Sequence, residues 1–118
     1  MSVTWYAVVI DADDPARLSR WWAEVLGFKV LDEDENDVMV GAAKDAHPIL
    51  YFSRARTPKV GKNRLHIDLS PTDRDAEVER LVDMGARHVD IGQGTPSWMV
   101  LADPEGNEFC VLKSHPTG

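Results

Sequence analysis

The residues of this chain best equipped for chemistry are His66, Asp68 and its single cysteine, Cys110. Asp68 stands next but one to His66 in a stretch, Arg64 to Ser70, whose alternation reads as a strand, so the two side chains share a face. A carboxylate placed there can orient the imidazole or simply stand in solvent. His66 therefore reads in two ways: as a structural histidine held by Asp68 or a hydroxyl, or as a ligand donor and general base near neutral pH. Cys110 reads as a small buried hydrophobe. A nucleophilic role would require a base beside it and a depressed pKa. His47, just before Pro48, and His88 fall at loop or strand edges and are expected to face solvent, and His115 lies in a polar tail.

Four tryptophans are many for 118 residues. Trp5, Tyr51, Phe52, Trp98 and Met99 either pack the core or line an aromatic cavity for a flat apolar ligand. Trp21 and Trp22 are adjacent on a predicted helix and diverge around its axis. One is expected to pack on a sheet and the other to lie at an edge or interface.

The elements that must position these residues follow one plan twice. Val3 to Ile10 is β-branched and aromatic, which predicts a strand buried on both faces. Asp13-Asp14-Pro15 then offers a helix cap with proline at the first helical position. Leu18, Trp21, Trp22, Val25 and Leu26 keep helical spacing up to Gly27, a C-cap glycine. Strands are predicted at Phe28 to Leu31, Val38 to Ala42 and Pro48 to Arg54, with an acidic turn at Asp32 to Asp37. After a polar crossover from Arg56 to Asn63, the strand Arg64 to Ser70 precedes a helix capped by Thr72 or Asp73. Its stripe is Val78, Leu81, Val82 and Met84, and Gly85 closes it. Three more strands follow, at His88 to Ile91, Ser97 to Ala102 and Asn107 to Leu112. The last two flank Asp103-Pro104-Glu105-Gly106-Asn107, a turn in which Pro104 presets φ and Gly106 supplies a positive φ. An internal βαβββ duplication predicts an α+β fold of two modules forming a curved mixed sheet around a cleft. Module one spans about 1–55, the linker about 56–63 and module two about 64–113, in a single domain.

The composition, 43% hydrophobic and 28% charged, is that of an ordinary globular protein. A net charge of −7 argues against nucleic acid as a partner, because a phosphate binder needs a basic patch. The basic run Arg54, Arg56, Lys59, Lys62 and Arg64 brackets Pro58 and Gly61 and reads as a solvated linker. No apolar stretch approaches the roughly 20 residues that span a bilayer. A lone cysteine excludes an intramolecular disulfide and suits a reducing compartment. The expectation is a cytoplasmic protein without membrane partners.

The order and spacing of these motifs resemble the vicinal oxygen chelate (glyoxalase/bleomycin-resistance/dioxygenase) superfamily over nearly the whole chain. The carrying residues are Asp14-Pro15, Leu18-x-x-Trp21-Trp22-x-x-x-Leu26-Gly27-Phe28, Leu65-His66-Ile67-Asp68 leading to Met84-Gly85-Ala86, and the Asp103 to Asn107 turn. Small glyoxalase-like domain proteins are the nearest flavour. Metal-dependent members hold their ion with a His or Glu on the first strand of each module and a carboxylate or His on the last. The resemblance maps these positions onto Ala7 or Val8, the Ile49 to Phe52 strand, His66 and Cys110. Only His66 and Cys110 carry a suitable donor, and a His/Cys pair favours softer ions than the family's usual ones. Lewis-acid chemistry needs about three protein ligands. The sequence therefore predicts no bound metal and no cofactor.

Antibiotic-sequestering members bind planar natural products between aromatic side chains. The resemblance thus implies a metal-independent binder of a small aromatic or apolar molecule, with antibiotic sequestration and resistance as the implied role. The expected site is His66 as polar anchor, with Asp68 beside it and Trp5, Tyr51, Phe52, Trp98 and Cys110 as walls. An alternative is a lyase- or isomerase-type enzyme acting on a small oxygenated substrate with His66 as acid/base. A homodimer is expected to cover an exposed Trp21 or Trp22.

Overall fold

The computed structural model describes residues 2, 4–89 and 98–113, with the side chain of Trp98 excepted. Each half has the order strand, helix, three strands. The halves form two compact units that divide between Lys59 and Val60.

In the first unit, β1 (Ala7–Ala12) is followed by α1 (Pro15–Leu26), β2 (Lys29–Glu33), β3 (Asp37–Gly41) and β4 (Ile49–Arg54). The sheet order is β1-β4-β3-β2. β1 runs parallel to β4, whereas β3 is antiparallel to both of its neighbours, β2 and β4. α1 begins where Asp14 accepts a hydrogen bond from the Arg17 backbone N–H at 3.1 Å, with Pro15 filling the first turn. It ends at Gly27, whose φ of 69° is the left-handed conformation that glycine adopts without steric cost. Val38, Val40, Leu50 and Phe52 form the buried sheet face under α1.

Three expectations for this unit are corrected. β1 starts at Ala7 rather than Val3, because its partner strand cannot continue through Pro48, which lacks an N–H. Nor is β1 buried on both faces. It is an edge strand, and Val9 is 62% exposed. Trp21 and Trp22 are both buried, in an edge-to-face contact with centroids 5.1 Å apart, so neither offers exposed surface to a dimer. Residues 15, 18, 19, 21, 22 and 23 of α1 are all buried, an arc wide enough to take both indoles.

In the second unit, β5 (Ile67–Leu69), α2 (Arg74–Asp83), β6 (Arg87–His88), β7 (Trp98–Ala102) and β8 (Glu108–Leu112) repeat the pattern, with sheet order β5-β8-β7-β6. Asp73 is the cap of α2 and accepts from the Ala76 backbone N–H at 3.2 Å. The predicted stripe is narrower than expected. Val78 and Leu81 are buried, but Val82 is among the exposed apolar residues, at the edge of a helix whose other faces are charged. The strand expected at His88 to Ile91 is seen as β6, and residues 90 and 91 lie outside the described residues, as does His115.

The β7–β8 turn is built around Asp103, which is fully buried. Its Oδ1 accepts from the backbone N–H groups of Glu105 and Asn107, both at 2.9 Å, and Oδ2 accepts from Asn107 Nδ2 at 3.0 Å. Gly106, at φ 87°, makes the turn's positive-φ step. Among the described residues no helix is long and apolar enough to cross a membrane.

Candidate functional site

The second unit gathers the reactive side chains through strand register. β5 and β8 are parallel, with Asp68 opposite Cys110. Opposed residues lie on the same face, and His66, one residue before β5 rather than within the longer strand expected at Arg64 to Ser70, joins them through its contact with Asp68. The helix-covered face of the same sheet carries Leu101, Phe109 and Val111, all buried. His66, Asp68 and Cys110 thus project on the face away from α2.

Their geometry is tight. His66 Nε2 lies 3.1 Å from Asp68 Oδ1. The donor atoms of His66, Asp68 and Cys110 all fall within 4.8 Å of one another, the group of three metal-capable side chains that comes together among the described residues. His66 and Asp68 are exposed, whereas Cys110 is only 5% exposed and lies beneath them. Val100, opposite Cys110 on β7, is an apolar neighbour on the thiol's other side.

Burial pushes the Cys110 thiol pKa up, and the charge and hydrogen bond of Asp68 push it further, against a weaker opposing pull from Lys62. A thiol whose pKa is raised in this way is a weaker nucleophile near neutral pH. What remains is an imidazole paired with a carboxylate above a buried sulfur: an acid/base pair, a polar anchor or a metal-ligand set.

Sequence reasoning did not single out Glu108, which stands two residues before Cys110 and so shares its face. Its Oε1 accepts from the Asn63 backbone N–H at 3.1 Å, tying the segment before His66 to β8. The signal available was that same period of two, counted back from Cys110 along Asn107-Glu108-Phe109-Cys110. Leu65, next to His66, is 85% exposed and contributes nothing to the core.

The aromatic residues expected as walls lie in the first unit, apart from Trp98, whose side chain lies outside the described residues. Trp5 precedes β1 and is 66% exposed. The Tyr51 hydroxyl donates to Asp37 Oδ2 at 3.0 Å, a bond that raises its pKa above the ordinary phenol value. Val9, Met39 and Tyr51 share the sheet face away from α1. Phe52 does not belong with them. Alternation along β4 turns it to the opposite face, where it is fully buried under α1 and works as core. His47 and His88 are exposed, and the His47 ring lies 5.4 Å from that of Tyr6.

The donor set does not match the four positions that the resemblance implies. Ala7, Val8 and the Ile49 to Phe52 strand offer no imidazole or carboxylate, so the first unit leaves its two positions unfilled.

The family described as Glyoxalase-like domain matches residues 7–112. No curated protein gives a significant match. Among solved structures, the chain is similar to a glyoxalase/bleomycin resistance protein/dioxygenase family enzyme from Burkholderia phytofirmans, at 17% identity and TM-score 0.72, over 92% of this chain and 97% of that one. Trypanothione-dependent glyoxalase I from Leishmania major is similar at 20% identity and TM-score 0.70, over 95% and 87%. An antibiotic binding protein from Streptomyces is similar at 22% identity and TM-score 0.64, over 98% and 99%. At these identities the likeness establishes the fold.

Proposed function

We infer, for a chain that belongs to the glyoxalase-like domain family, that it binds a small planar molecule bearing a hydroxyl group, anchored at His66 without the family's four-position metal set. The observation that carries this reading is the 3.1 Å contact between His66 Nε2 and Asp68. It commits one ring nitrogen to the carboxylate. With Nε2–H donating to Asp68, Nδ1 is the ring atom left for a ligand, and an O–H or N–H donor is the matching group. The likeness to an antibiotic binding protein supports sequestration of such a molecule as the biological role.

The same contact favours a second reading, a lyase- or isomerase-type enzyme. A carboxylate-oriented imidazole can take a proton from a substrate carbon or hydroxyl. In that reading Cys110 packs beneath the pair, its thiol pKa raised by burial and by Asp68. A homodimer remains part of the proposal, with Trp5 and Val9 as the apolar surface to be covered in place of the tryptophan pair.

A thermal-shift screen of flavonols and naphthols, each beside its O-methylated counterpart, tests the anchor. Binding to the folded state raises the melting temperature by mass action, equivalent to about 2.7 kcal/mol at a hundredfold excess over Kd. The free hydroxyl compounds should stabilise the protein and their methyl ethers should do so less. His66→Ala should weaken binding by about 0.5–1.5 kcal/mol, the worth of one hydrogen bond. Equal stabilisation of the alanine variant would remove His66 from the site, and turnover of a bound compound would select the enzyme reading.

A further inference from the structure

We propose that the first unit carries a ligand site of its own, on Tyr6, Met39, Tyr51 and Asp37, for a weakly hydrated organic cation such as a flat heteroaromatic ring with a positive nitrogen. It shares no residue with the His66 anchor and does not depend on it. Strand register assembles the site. Met39 on β3 stands opposite Tyr51 on β4, and Asp37 comes two residues before Met39, so all three lie on the sheet face away from α1. Tyr6, one residue before β1, reaches over the same face until its hydroxyl meets Met39 Sδ at 3.8 Å. The His47 ring stands 5.4 Å from that of Tyr6.

The electrostatics of this face select a positive ligand. An aromatic ring is negative over its face and attracts a cation within about 6 Å of its centroid. The Tyr51 hydroxyl donates to Asp37 Oδ2 at 3.0 Å, which passes part of the carboxylate's charge to the phenol and deepens the negative face of its ring. The charged side chains that register places here are Asp11, Asp32 and Asp37, against Lys29 alone, which stands opposite Gly41. An anion is repelled by this arrangement, and a neutral ring gains nothing from the carboxylates. A second copy laid over the patch would set carboxylate against carboxylate. The dimer contact proposed at Trp5 and Val9 is at the β1 edge, and β3, which carries Met39 and Asp37, is two strands further in.

The cation is an organic one for two reasons. Among the described residues no metal-capable group of three side chains comes together on this face. A metal ion or a small ammonium would also shed water for rings that offer no replacement hydrogen bonds, whereas a flat cation with delocalised charge has little hydration to lose. The patch is open to such a ligand. Tyr6 is 53% exposed, and Met39 and Tyr51 are half-buried, so the rings keep accessible faces. The Met39 thioether between them is a flexible, polarizable floor that can fit itself to a ring.

Three probes of one shape test the site: the cation N-methylquinolinium, its neutral isostere methylnaphthalene and the anion naphthoate. Each is titrated at low salt into the full chain with isotopically labelled methionine methyls, and magnetic resonance reads both place and affinity. The cation should shift the Met39 methyl, assigned from Met39→Leu, and bind about fivefold more tightly than the isostere, the worth of one good exposed cation–π contact. Naphthoate should bind least. Tyr6→Leu and Tyr51→Leu should each weaken the cation by about two- to fivefold. Asp37→Asn should do the same, by a factor that shrinks as salt is added. That exposed-face change preserves side-chain shape and decides the matter even where a leucine variant fails to fold, which far-ultraviolet circular dichroism reports. Equal affinity for cation and isostere would overturn the proposal, as would an unmoved Met39 methyl or unchanged binding by Asp37→Asn. His66→Ala should bind N-methylquinolinium as the parent does while losing its hydroxyl ligands, so the two sites stand or fall separately.

Discussion

Asp103→Ala should lower the stability of the protein by about 3 kcal/mol, with a fall in melting temperature of roughly 12 °C for a chain of this size. The carboxylate is fully buried and accepts the N–H groups of Glu105 and Asn107 together with the Asn107 side-chain amide. Alanine removes both acceptor oxygens and with them the bonds from part-buried donors to a charged group, together worth about 3 kcal/mol at roughly 1.5–3 kcal/mol for each such bond, less where water takes its place. The turn still closes through its backbone bonds, Asp103 N–H to Asn107 O at 2.9 Å and Gly106 N–H to Asp103 O at 2.9 Å, so the variant should fold. Asp103→Asn keeps one acceptor oxygen and should cost about half as much. Urea unfolding followed by tryptophan fluorescence measures both: the midpoint falls while the slope is unchanged. A loss below about 1 kcal/mol for alanine would show that the carboxylate is not what holds the turn. The effect should reach the candidate site, because this hairpin sets the register that puts Cys110 opposite Val100 on one side and Asp68 on the other.

That turn was the clearest structural statement in the sequence because every one of its determinants is local. Proline, glycine and two side chains able to bond their own backbone all fall within five consecutive positions. The helix boundaries were legible for the same reason, from Asp14-Pro15 at one end of α1 and Gly27 at the other. What could not be read depends on partners distant in sequence. That Val9 is exposed follows from its lying with Met39 and Tyr51 on the sheet face that α1 leaves uncovered, and which face a helix covers is a property of the whole sheet. Likewise Tyr51 and Phe52 are both aromatic and adjacent. Only the identity of the helix-covered face decides that Phe52 is core and Tyr51 is not. In the candidate site, the nearness of His66 and Asp68 was expected from alternation over Arg64 to Ser70, and the 3.1 Å contact is there although the strand itself is only Ile67–Leu69. Cys110 entered through family resemblance, and its contact with Asp68 depends on a parallel register between β5 and β8 that no local rule specifies.

Trp22→Ala should be the most damaging single substitution in the first unit, costing about 4 kcal/mol within the roughly 3–5 kcal/mol range for truncating a buried large aromatic. Only 2% of the side chain is exposed, and it lies at the centre of the α1 face that covers β3 and β4. Adjacent helical residues diverge by about 100° around the axis, so Trp21 ordinarily could not share this space. Here the arc buried by α1 is wide enough for both, and the two rings meet at an interplanar angle of 80°. An edge-to-face pair of this kind adds about 0.5–1.5 kcal/mol beyond the area buried. The two substitutions should therefore be non-additive: Trp21→Ala and Trp22→Ala combined should cost less than their sum by about that amount. Trp22→Phe, which retains an aromatic ring against the sheet, should recover a large part of the loss. Urea denaturation of the four proteins gives the double-mutant cycle directly. Strict additivity would mean that the indoles pack on the sheet independently. A Trp22→Ala loss under about 2 kcal/mol would mean that α1 is held to its sheet mainly by Leu18 and the other small contacts of the arc, and not by this side chain.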